Sequence, residues 1–189
     1  MARIALLLFL VSGCVVKNDP KIRSYGLNNY RQSIVLVCDE SCTDAEAERL
    51  KLLERKINQT INSECFSDFI LTPNRPWNHL EGKTPVEILQ IMRSKKIVLV
   101  RYFTSVHYRI EGYEVAEQAV VNINRLSVTI QNMNLCREAS LIAHEISHAN
   151  GLNHRGNEPD AYNQLSPPYQ VNHAFEPRKE NYLNGRCCV

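Results

Sequence analysis

Apolar residues along this chain fall into short β-branched runs and longer stripes at helical spacing. That mixture predicts an α+β fold. The first internal run, Ser33-Ile-Val-Leu-Val37, reads as a buried strand. Thr43-Asp-Ala-Glu46 then has the capping-box pattern, in which a hydroxyl and a carboxylate satisfy each other's backbone N–H. Behind it Leu50, Leu53, Ile57 and Ile61 recur on one face, predicting a helix over about 44–62 with a solvated polar face. Residues 65–72 read as a second strand, and Pro73–Gly82, which contains Trp77, as loop. Thr84-Pro85-Val86-Glu87 marks another helix start, with proline at the first helical position, and the helix runs to about Ser94. Ile97–Phe103 is a strand, Val106–Val115 alternates loosely, and Ala119–Ile123 and Leu126–Ile130 are two more strands joined at Asn124-Arg125. A helix over about 137–150 follows. Beyond Gly151 the chain carries Pro159, Pro167, Pro168 and Pro177, which predicts a small irregular C-terminal subdomain.

The N-terminus stands apart from this pattern. Met1-Ala-Arg3 is weakly basic, and Ile4–Val11 is an unbroken apolar stretch of eight residues. A membrane-spanning helix needs about 20, so the stretch fits the core of an export signal over residues 1–13. It ends Leu10-Val11-Ser12-Gly13-Cys14, which resembles the lipobox of bacterial lipoproteins. That resemblance implies cleavage before Cys14 and lipidation of its thiol, with residues 14–31 as anchor and tether. The alternative is a simple secretory signal with an incidental cysteine. The folded domain then covers 32–189, with subdomains 32–151 and 152–189.

Composition narrows the class. The 189 residues are 44% hydrophobic and 22% charged, as in an ordinary globular protein. Formal net charge is +2 and the basic residues are scattered, which argues against a nucleic-acid partner. The seven cysteines are Cys14, Cys38, Cys42, Cys65, Cys136, Cys187 and Cys188. Assigning Cys14 to lipid leaves an even number, which in an exported protein suggests disulfides of open pairing. Adjacent Cys187 and Cys188 are expected to reach different partners and pin the tail to the body. A cysteine metal site is the competing reading, although no CxxC pair occurs.

The chemistry concentrates in one stretch. Ala143-His-Glu-Ile-Ser-His-Ala-Asn-Gly-Leu-Asn-His154 contains HExxH and extends to HExxHxxGxxH. On a helix, His144 and His148 lie one turn apart and can grip one metal ion. Glu145 sits beside the metal, placed to take a proton from water. Gly151 permits a left-handed turn that ends the helix, and His154 can then supply a third nitrogen. Three histidines leave one position open, as a catalytic zinc requires. Average residue usage gives such a motif in roughly one chain of this size in 10⁵, so chance surface histidines are a poor explanation.

These residues resemble the zinc signature of the metzincin peptidases, and the upstream order of strand, long helix, further strands and motif helix is similar too. The resemblance implies a metzincin-like mixed sheet with a long backing helix and an active-site helix, one catalytic Zn²⁺ held by His144, His148 and His154, and a metal-activated water with Glu145 as general base. It also implies an antiparallel edge strand that pairs with an extended peptide or protein substrate, for which residues 118–124 are the candidates. The pattern departs from the family in one respect. Metzincins place a methionine turn below the zinc, but Met1, Met92 and Met133 all precede the motif, so Ser166-Pro-Pro-Tyr169 is the candidate replacement. Tyr162 and Tyr169 are candidates for an oxyanion or substrate contact, against the ordinary alternative of a packed tyrosine. His173 is a further candidate for the cleft, whereas His79 and His107 lack any partner spacing. The sequence therefore predicts a monomeric, lipid-anchored zinc metallopeptidase of the bacterial envelope. A non-catalytic zinc-containing binding lipoprotein and a hydrolase of a cell-wall amide are the alternatives.

Overall fold

The computed structural model describes residues 34–73, 75–80, 82–106, 112–115, 119–154, 163–175 and 187–188. Cys14, the N-terminal signal and tether, His107 and Tyr162 lie outside the described residues. The described chain is mixed α and β. Strand β1 (Ile34–Cys38) is followed by α1 (Asp44–Ile61), α2 (Glu64–Leu71) and α3 (Pro85–Arg93). Then come β2 (Lys96–Phe103), β3 (Gly112–Val115), β4 (Val120–Asn124), α4 (Arg125–Ile130), α5 (Leu135–Ala149) and α6 (Pro167–Phe175). The sheet order is β1-β2-β4-β3. The first three strands in that order run parallel, and β3 closes the sheet antiparallel to β4.

Local chemistry explains most boundaries. Both capping boxes form. Thr43 Oγ1 accepts from the Glu46 N–H at 3.2 Å while the Glu46 carboxylate accepts from the Thr43 N–H at 2.8 Å. Thr84 and Glu87 repeat the arrangement at the head of α3. Leu50, Leu53, Ile57 and Ile61 of α1 are buried, and α1 packs against β1 and α5. On β2, Val98, Val100 and Tyr102 are buried while Ile97 and Arg101 between them are exposed, so one face of the sheet meets the helices. A half-buried ion pair, Arg49 Nε to Glu138 Oε2 at 2.5 Å, ties α1 to α5. No described helix is long and apolar enough to cross a membrane.

Four expectations are corrected. Residues 65–72 are helix α2, not a strand. Phe66, Phe69 and Ile70 are buried at helical spacing, and Ser63 Oγ caps the helix by accepting from the Phe66 N–H at 3.1 Å. Leu126–Ile130 is likewise not a strand but most of α4. Asn124 Oδ1 accepts from the Leu126 N–H at 3.1 Å, so the expected turn is a helix cap, and Ile130 points to solvent. The candidate edge strand 118–124 contains β4, which lies between β2 and β3 with all five residues buried; the strands at the two edges of the described sheet are β1 and β3. The C-terminal part is not wholly irregular, since Pro167 and Pro168 begin α6, where a missing N–H is tolerated.

Three disulfides bind the described chain: Cys38–Cys42, Cys65–Cys187 and Cys136–Cys188. The cysteine metal site is thereby ruled out, because all six thiols of the domain are consumed. Cys187 and Cys188 reach α2 and α5 respectively, and the Cys187 N–H donates to the Ala174 carbonyl of α6 at 3.1 Å.

Candidate metal centre

Helix α5 delivers the first two histidines. Asn134 caps it, its Oδ1 accepting from the Arg137 N–H at 2.9 Å. The helix is buried from Glu138 to Ser147, which fixes its rotation about its own axis. His144 and His148 share a face, with Nε2 atoms 3.2 Å apart. Two nitrogens on a tetrahedral zinc at 2.0–2.1 Å stand about 3.3 Å apart, so this spacing is that of neighbouring ligands.

The helix ends in the way His154 needs. Gly151 has φ 74°, its N–H donates to the His148 carbonyl at 2.8 Å, and the Leu152 N–H donates to the Ser147 carbonyl at 3.1 Å. This is a Schellman ending, with glycine at the left-handed position. Leu152 anchors in the core and the chain reverses. The ligand atoms of His144, His148 and His154 consequently all lie within 4.8 Å of one another. The imidazole Nδ1 of His154 is buried and has no hydrogen-bond partner among the described residues. Burial lowers the pKa of His148 to about 4, and the charge of His154 adds to the effect. Burial also lowers the pKa of His154, assisted by the charge of His79. Three imidazoles with ligand atoms this close, two of them disposed by burial to stay neutral, fit a divalent transition metal. Glu145, 6% exposed, follows His144 on the same helix.

Around this group the structure places some candidates and not others. Tyr169, in the first turns of α6, lies against the cluster, its ring centroid 4.8 Å from that of His144 and 5.2 Å from that of His154. His173, one turn further along α6, is buried. The cysteines are remote in chemistry, being engaged in disulfides. His79 is the residue that spacing missed. It holds φ 54°, a left-handed conformation uncommon outside glycine, and its charge acts on His154. The neighbouring Asn78 N–H donates to the Leu165 carbonyl at 2.9 Å, and Arg75 Nη1 donates to Gln170 Oε1 at 2.8 Å. These two bonds fasten the loop to the segment that bears Tyr169. No signal in the sequence links position 79 to position 154, because the link is tertiary. Comparison with protein families, with curated proteins and with solved structures found no match for this chain.

Proposed function

We propose that the chain is a zinc-dependent metallopeptidase with a metzincin-like fold, anchored through its N-terminus to a bacterial cell envelope. The observation that carries the reading is the grouping of three imidazoles on and just after the helix that bears Glu145, two with Nε2 atoms 3.2 Å apart, the distance between neighbouring ligands of a tetrahedral metal, and all three with ligand atoms within 4.8 Å of one another. His144, His148 and His154 would hold the ion, and no fourth residue joins the group among the described residues. Three protein ligands suit a catalytic rather than a closed structural site. When bound, zinc supplies Lewis acidity and lets water act as a nucleophile near neutral pH. Glu145 accepts the proton of that water and delivers it to the departing amine.

The sheet supports the choice of an extended peptide as substrate. β3 is one of the two edge strands of the described sheet, runs antiparallel to its neighbour, and contacts α5, the helix that bears His144 and His148. Its outer backbone groups can pair with a substrate strand laid beside it. The envelope anchor rests on Ser12-Gly13-Cys14. Incorporation of labelled palmitate should be lost in Cys14→Ser, and persistence of the label removes the anchor.

The test of the activity is Glu145→Gln in the full chain. Zinc content should stay at one ion per chain while hydrolysis of a peptide library falls by about 10²–10⁴-fold. Wild-type turnover in that variant overturns the role of Glu145. A wild-type protein that holds stoichiometric zinc and cleaves no peptide is instead a binding lipoprotein, and one that cleaves only wall fragments is a cell-wall amidase.

A further inference from the structure

We infer that the aromatic ring of Tyr169 is the floor of the metal centre, a positioning residue that aims His144 and His154 by ring contact. This rests on the reading of the three histidines as a metal site.

A ligating imidazole must be held in rotation as well as in place, since a small turn about its side-chain bonds moves the nitrogen off the ligand position. The usual device is a hydrogen bond at the second ring nitrogen. Nδ1 of His154 is buried and has no hydrogen-bond partner among the described residues, so none of these residues aims the ring by a bond at that atom. Ring contacts take over the task. Tyr169 stands edge-on to His144, with an interplanar angle of 73°, and lies tilted by 38° against His154. One side chain therefore bears on two ligands from two separate elements, the helix α5 and the segment after Gly151. His148 meets the other two histidines directly, at centroid distances of 4.9 Å and 4.7 Å, which completes a four-ring cluster.

A floor must itself be rigid, and α6 is fastened on several sides. Ser140 Oγ of α5 donates to the Asn172 carbonyl at 3.1 Å. Gln170, next to Tyr169, donates to the Gln164 carbonyl at 2.7 Å and accepts from Arg75 at 2.8 Å. The Cys187 N–H bonds the far end of the helix at Ala174.

The experiment compares wild type, Tyr169→Phe, Tyr169→Leu and Tyr169→Ala in the full chain, each stripped of metal and titrated with Zn²⁺ against a chromophoric chelator and with Co²⁺ by visible absorption. Tyr169→Phe should match wild type in zinc affinity and in the Co²⁺ spectrum, because the ring is retained. Tyr169→Leu and Tyr169→Ala should bind zinc about 10–100-fold more weakly and shift the Co²⁺ bands, the size of effect that removing a ligand's support has elsewhere. Tyr169→Leu keeps an apolar side chain of substantial volume and guards against a result that merely reports unfolding of the alanine variant. Wild-type affinity and spectrum in Tyr169→Leu overturn the inference. So does weakened binding or an altered spectrum in Tyr169→Phe, which would transfer the role to the hydroxyl. Failure of the wild-type chain to bind either metal defeats the metal site itself, a result separate from both.

Discussion

His148 shows how one residue's surroundings set the conditions for the whole site. Burial, together with the neighbouring His154, lowers its pKa to about 4, from an ordinary value near 6.5. Between those two values the unfolded chain binds a proton that the folded, metal-free chain refuses. Stability therefore rises with pH in this window. The contribution is fully present above about pH 6.5 and is lost as pH falls towards 4. Urea unfolding of the metal-free protein at pH 7 and at pH 5 should show the loss, and His148→Leu should flatten the dependence. Equal stability at the two pH values in the metal-free wild type contradicts the burial assigned to this ring. Neutrality of the ring also keeps its lone pair available to a metal in mildly acidic solution, where a free imidazole would already be protonated.

At the scale of elements, the sequence was most legible where one side chain satisfies a backbone group a few positions away. Thr43 with Glu46 and Thr84 with Glu87 announced α1 and α3, and the motif with Gly151 announced the end of α5. It was least legible where β-branched or aromatic residues occupy short helices. Leu126–Ile130 has strand-like composition, yet Asn124 caps a helix there, and Cys65–Thr72 was misread in the same way because Ser63 was overlooked as a cap. Sheet order could not be read at all, since which strand is the edge depends on pairing between distant segments. For the same reason the ring contacts of Tyr169 with His144 and His154, and the electrostatic effect of His79 on His154, have no trace in spacing. The α1–α5 clamp offers a test of element packing. Glu138 is 1% exposed, and burial raises its pKa despite the ion pair with Arg49. Arg49→Met should strand this carboxylate and cost about 3 kcal/mol of unfolding free energy, measured by urea titration. Arg49→Met with Glu138→Gln should recover part of that, and a single variant as stable as wild type would show the clamp to be idle.

At the scale of the whole molecule, the two long-range disulfides set the order of assembly. Cys65–Cys187 spans 122 positions and Cys136–Cys188 spans 52. Such bridges typically contribute about 2–4 kcal/mol each, less where they share a loop. Treatment with a thiol reductant should lower the thermal midpoint and weaken zinc binding together, because α2, α5 and α6 are joined through residues 187 and 188. A reduced protein with unchanged zinc affinity would separate the tail from the site. Synthesis runs from residue 1 upward, so neither bridge can close until position 188 has left the ribosome and met an oxidising environment. On the reading proposed above, hydrolytic competence would then be acquired late, only once both bridges have closed around the finished chain.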